Sequence, residues 1–126
     1  MNFITVSNIA LSIKKNEAGD WFLLRSKVEF PNGRKQVSTP RVFKFRTRKG
    51  VAQAFILNLF KVGRINQIAS YEKGEFNQII ESLNWTIMKL HDKDRQLSNN
   101  LSDMKVNAVK FYEQRNSKLT NKQNNK

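Results

Sequence analysis

Large apolar side chains alternate with polar ones along WFLLRSKVEF, residues 21–30. Phe22, Leu24, Val28 and Phe30 share the even parity with Ser26, and Trp21, Leu23, Arg25, Lys27 and Glu29 share the odd. A two-residue period of this kind predicts a half-buried β-strand. Pro31-Asn32-Gly33 follows, and Asn-Gly tolerates the positive φ angles of a tight hairpin turn. Residues 34–39 then read as a polar strand and 41–48 as its continuation. Pro40 has no N–H for a ladder, so it marks an edge, a bulge or a break. Upstream, residues 3–13 read as one more strand. Its apolar set moves from the even face (Ile4, Val6) to the odd (Ile9, Leu11, Ile13, with Phe3) near Ser7-Asn8, which predicts a bulge or an end buried on both faces. NEAGD, residues 16–20, predicts a turn.

The pattern then changes. VAQAFILNLFKV, residues 51–62, is apolar almost all the way round, as a helix buried against a sheet face would be. Gly63 interrupts it. Residues 64–71 predict a short amphipathic helix through Ile65, Ile68 and Ala69, with a loop at Glu72-Lys73-Gly74. From Phe76 a heptad seam runs through Ile80, Leu83, Ile87 and Leu90, then Leu97, Leu101, Met104, Ala108 and Phe111; Asp94 stands in the one missing place. Two arrangements satisfy this spacing. One is a single helix over 75–115 that pairs with a second copy; the other is a helical hairpin turning within 91–100. The phase is kept across 91–97, which favours the single helix and a homodimer through the heptad helix 76–111. NSKLTNKQNNK cannot bury enough apolar surface to order itself, so 116–126 is expected to be a disordered basic tail. The expected fold class is α+β: an N-terminal antiparallel sheet of three or four strands in residues 1–50, covered on one face by a helix. A long C-terminal helix or a helical hairpin follows, making one domain of 1–115 with 51–115 helical.

Charge gives this fold a direction. The net charge is +13, and residues 1–50 hold 11 Lys or Arg against Glu17, Asp20 and Glu29. Such an excess repels itself in a compact state and points to nucleic acid or another anionic surface. There is no cysteine, which excludes disulfides, thiolate catalysis and zinc knuckles. No apolar run approaches a membrane span. MNFITVSNIALSIKK lacks a basic stretch ahead of its apolar one, so no signal peptide is expected and the chain reads as intracellular.

Strand parity then selects the candidate site. If Phe22, Leu24, Val28 and Phe30 face the buried helix together with Phe43 and Phe45, alternation turns Lys44, Arg46 and Arg48 outward beside Arg25 and Lys27. The cations would form a row on a wet sheet face. Trp21 would lie among them as a platform for a stacked base, or else cap the sheet edge or pack under a loop or second subunit. Arg34 and Lys35 at the hairpin tip, with Arg41 further along, could grip a phosphate backbone or simply be solvated. Arg48 and Lys49 precede a helix whose free N–H groups could meet a phosphate; alternatively, Gly50 only eases the strand-to-helix turn. Trp85 lies off the heptad seam and is expected in the core or an interface. His91, beside Asp92 and Asp94, lacks further ligands at usable spacing and reads as solvated, so no metal and no cofactor are expected. No glycine-rich phosphate loop and no nucleophile–base arrangement is present, and a non-enzymatic role is expected.

The helices are apolar or of mixed charge while the cations lie on strands, which favours single strands over duplex DNA. WFLLRSKVEFPNGRK and RVFKFRTRKG, followed by the helical remainder, resemble in layout two groups of small single-stranded-DNA-binding proteins without an OB-fold. These are the transcriptional coactivators of the positive-cofactor type and the proteins of archaeal rod-shaped viruses. The resemblance implies a dimer with a groove for single strands. The expected function is sequence-nonspecific binding of single-stranded DNA; RNA binding, or non-enzymatic inhibition of a nucleic-acid enzyme, is the alternative.

Overall fold

Antiparallel strands are laid down in chain order: β1 (Phe3–Val6), β2 (Ile9–Lys15) and β3 (Trp21–Glu29), after which the other edge of β3 pairs with both β4 (Gln36–Val37) and β5 (Arg41–Phe45). The structure, a computed structural model, describes the backbone of residues 3–6 and 8–124, with side chains for 4–5 and 8–116. The disordered tail expected over 116–126 falls on residues whose side chains are not described beyond Asn116; the described backbone is helical as far as Asn124, and 125–126 lie outside the described residues. Four strands or five, the sheet and the helices after it make the α+β class expected from the sequence.

The parity change near residue 7 is not a bulge. Val6 pairs with Ile9 and Ile4 with Leu11, so the segment read as one strand is a hairpin of two. The reversal brings Ile4, Ile9, Leu11 and Ile13 to the same face, where all four are buried. At the tip between β3 and β4, Asn32 (φ 55) and Gly33 (φ 78) take left-handed conformations, which asparagine tolerates and glycine adopts freely.

Helix α1 (Arg48–Leu59) lies on the sheet and buries Val51, Ala52, Phe55, Ile56 and Leu59. Thr47 caps it, its side chain accepting from the Gly50 N–H at 3.0 Å. A Cβ on Gly50 would stand 3.1 Å from that hydroxyl, so the residue permits the cap to close. The C-terminus is closed by a Schellman pair, Val62 N–H to Leu57 C=O and Lys61 N–H to Asn58 C=O. The left-handed residue there is Lys61 (φ 54), two before the glycine expected to break the helix. A 3₁₀ segment, Ile65–Ser70, replaces the short α-helix expected over 64–71 and buries Ile68.

The heptad stretch is a hairpin, α2 (Lys73–His91) and α3 (Arg95–Asn124), not the single helix favoured by its phase. Asp94 is the reason. Its carboxylate accepts from the Leu97 N–H (3.1 Å) and its carbonyl from the Ser98 N–H (3.0 Å), so the one polar residue in the seam starts a new helix. Phe76, Leu83, Leu90, Leu97, Leu101, Met104 and Ala108 are all buried within the one chain. The seam that was to hold a second copy through 76–111 is therefore occupied within the chain: α2 and α3 pack on each other, α3 also on α1 and the 3₁₀ segment, and α2 on β1. Phe76 stacks on Tyr112 at 4.0 Å between ring centroids, and Phe60 meets Tyr71 edge-on at 5.4 Å. Arg115 donates to the carbonyl of Ala69, tying α3 to the 3₁₀ segment.

Candidate nucleic-acid interface

One inserted residue decides where the cations go. Along β3, Val28 stands opposite Val37 and Arg25 opposite Arg41, so three steps on β3 match four on the partner. The extra residue is a β-bulge in 38–40, where Pro40 interrupts the ladder. A one-residue slip exchanges the two faces of a strand. Without the bulge, Lys44 would share a face with Trp21 and Arg25, which is the plateau expected from parity. With it, Trp21, Leu23 and Arg25 share the α1 side with Phe45, Phe43 and Arg41, and Lys44 pairs with Phe22 on the other. The shared row of Arg25, Lys27, Lys44, Arg46 and Arg48 is not formed.

Trp21 is corrected with it. Only 6% of its surface is exposed, so it offers no platform to a base. It does lie among cations, but different ones: the Lys15 ammonium is 5.4 Å and the Arg48 guanidinium 5.2 Å from its ring centroid. Arg48 in turn donates through Nε to both oxygens of Asp94, at 3.0 and 3.2 Å. Partial burial alone would raise the Asp94 carboxyl. The Leu97 amide, the Arg48 guanidinium and the Lys15 charge outweigh it and hold the group below the ordinary aspartate value. Arg48 is thus a structural cation, and the N-terminus of α1 is closed by Thr47. Lys44 pairs with Asp20 at 3.5 Å on the surface, a contact of little energetic weight.

What the bulge does bring together is Arg25, Lys27 and Arg41. With Ser26, Ser38 and Thr39 they line a cleft of about 210 Å³ at the break between β4 and β5. Arg25 and Arg41 are directly opposed across the ladder. Arg25 is steered by Asn58 of α1, whose side-chain oxygen accepts from it at 3.2 Å. Ser38 bridges the bulge, accepting from the Lys27 N–H at 2.9 Å. Among the described residues, no carboxylate lines the cleft. Two residues along from Arg41, on the same face, Phe43 is 38% exposed, whereas Phe45 packs against the core. Beyond the cleft the hairpin leaves the body, and every residue from Glu29 to Lys44 is exposed. That arm carries Arg34 and Lys35, and neither makes an ion pair with another described residue. Arg46 and Lys49 are exposed where β5 runs into α1.

Three of the expected residues therefore converge, two lie on an arm above them, Arg46 and Lys49 flank the path, and Trp21, Lys44 and Arg48 serve elsewhere. Phe43, Ser38, Thr39 and Asn58 were not foreseen; Pro40 was the signal for the bulge that assembles them. Trp85 is 45% exposed, with Lys89 5.5 Å from its ring, and so lies outside the core. Among the described residues no helix is long and apolar enough to cross a membrane, and no three His, Asp or Glu side chains gather as metal ligands. Comparison with models of protein families, with curated proteins and with solved structures finds no match.

Proposed function

We propose that this chain is a non-enzymatic single-stranded-DNA-binding protein whose affinity comes chiefly from the phosphate backbone. The observation that carries the reading is the opposition of Arg25 and Arg41, with Lys27 beside them and no carboxylate in the cleft. Like charges directly opposite one another destabilise a sheet, and an anion between them would relieve that repulsion. The exposed ring of Phe43 next to the anion site suits a polymer that presents flat bases alongside its phosphates. Arg34 and Lys35 on the arm extend the positive track beyond a single phosphate.

Titration with matched single-stranded DNA, single-stranded RNA and duplex oligonucleotides at several salt concentrations tests this. If Arg25, Lys27, Arg34, Lys35 and Arg41 each neutralise one phosphate, the log–log salt slope on single strands is about −3.5. A preference for RNA would reassign the polymer, and tighter duplex binding would make the arm a groove ribbon. Oligonucleotide binding that is absent or insensitive to salt would end the proposal.

A further inference from the structure

Basic residues continue beyond the cleft. From Arg41 the edge strand β5 leads past Phe43 and Arg46 to Lys49, in the first turn of α1. Lys49 lines a second cavity, of about 390 Å³, between α1 and α3. Its walls are Lys49 and Gln53 from α1 and Asn100, Asp103 and Asn107 from α3; Ile65 and the buried Met104 provide apolar surface. None of these five polar side chains has a hydrogen bond or ion pair with another described residue. Elsewhere the structure uses such groups: Asn58 holds Arg25, Gln67 closes the start of the 3₁₀ segment, and Asn84 accepts from Lys105.

We infer that this cavity takes one base of the bound strand, a reading that rests on the function proposed above and adds a base preference to it. A carboxamide offers a donor and an acceptor side by side, the arrangement that pairs with the edge of a nucleobase. Gln53, Asn100 and Asn107 present three of them. The Asp103 carboxylate can accept from an exocyclic amine. The thioether of Met104 and the side chain of Ile65 offer polarisable and apolar contact to a ring face. Lys49, at the mouth nearest β5, meets the phosphate of the same nucleotide. The pair on α1 and the set on α3 lie more than forty positions apart in the chain, so the cavity exists only once α3 has docked on α1.

The full isotope-labelled chain, titrated with each deoxynucleoside monophosphate and with base-free deoxyribose phosphate, distinguishes the possibilities. The side-chain amide resonances of Gln53, Asn100 and Asn107 should shift with the nucleotides, most for one base, and stay in place with the sugar phosphate. Homopolymeric oligonucleotides should differ in affinity by about fivefold or more. The double variant Asn100→Ala/Asn107→Ala should bring that ratio to about one without changing the salt slope. Equal shifts with the base-free compound, or none at these side chains while oligonucleotides still bind with a steep salt slope, would overturn the base pocket and leave the proposed function standing. Base-dependent shifts without oligonucleotide binding would do the reverse.

Discussion

Arg48 and Arg41 belong to the same basic segment, yet they end in opposite circumstances. Arg48 lies between the Trp21 ring and the Asp94 carboxylate, its charge neutralised inside the fold. Arg41 faces Arg25 across the ladder and makes no ion pair with another described residue. The difference is not in the cations but in what the rest of the chain brings to them. α3 carries a carboxylate to one, and the bulge carries a second guanidinium to the other. A high net charge therefore does not identify a binding surface; the subset of cations left without counter-charges does. The largest effect separating the two regions should be Trp21→Ala, which removes a buried indole and is expected to lower unfolding stability by about 3–5 kcal/mol in chemical denaturation. Trp21→Phe should be milder, and oligonucleotide affinity of the folded fraction should be unchanged in both. A loss of affinity at unchanged stability would restore Trp21 to the interface.

The converse comes next. Arg25→Glu/Arg41→Glu should weaken single-stranded DNA binding about a hundredfold at low salt and reduce the salt slope to about −2. Its melting temperature should change little, because one pair of opposed like charges replaces another. Asp94→Ala should cost about 2 kcal/mol of stability, through the lost helix cap and an Arg48 left without its partner, and leave affinity intact. The pH dependence has a fixed sign. The folded-state Asp94 group titrates below its unfolded value, so its contribution is fully present above the ordinary aspartate range. That contribution is lost as pH falls through the lowered value, and the stability gap between wild type and Asp94→Asn should close in acid. The smallest effect is expected for Phe43→Ala: about fivefold weaker binding, near 1 kcal/mol for one stacked base, with little change in stability. If Phe43→Ala instead destabilises the fold as Phe45→Ala would, the ring is core and the stacking contact fails.

Much of the architecture was legible. Asn32-Gly33 marked the hairpin, Pro40 the break, and the apolar run from Val51 the buried helix, because each is a local preference that tertiary packing did not overrule. The faces of the sheet were not legible. Trp21-Phe22-Leu23-Leu24 is apolar on both parities, so the alternation does not say which side is inward. The answer depends on how many residues the break at Pro40 inserts, and register is a pairwise property that one strand's sequence does not contain. The heptad phase misled for a related reason. Both helices of a hairpin must turn their apolar side to one core, so the repeat can persist across a turn. Asp94, read as a gap in the seam, was the cap that starts α3. The meeting of Phe60, Tyr71, Phe76 and Tyr112 was not legible, because it joins four separate segments whose approach no local period encodes.

A single carboxylate opens α3 and also steadies the guanidinium over Trp21, a residue of the third strand. The indole gains its cover only when a segment more than seventy positions downstream has arrived, and that segment gains its first turn from the same encounter. Neither half should therefore melt alone: the chain is expected to lose sheet and helix signals in one transition, and a fragment ending before Asp94 should have no sharp unfolding at all.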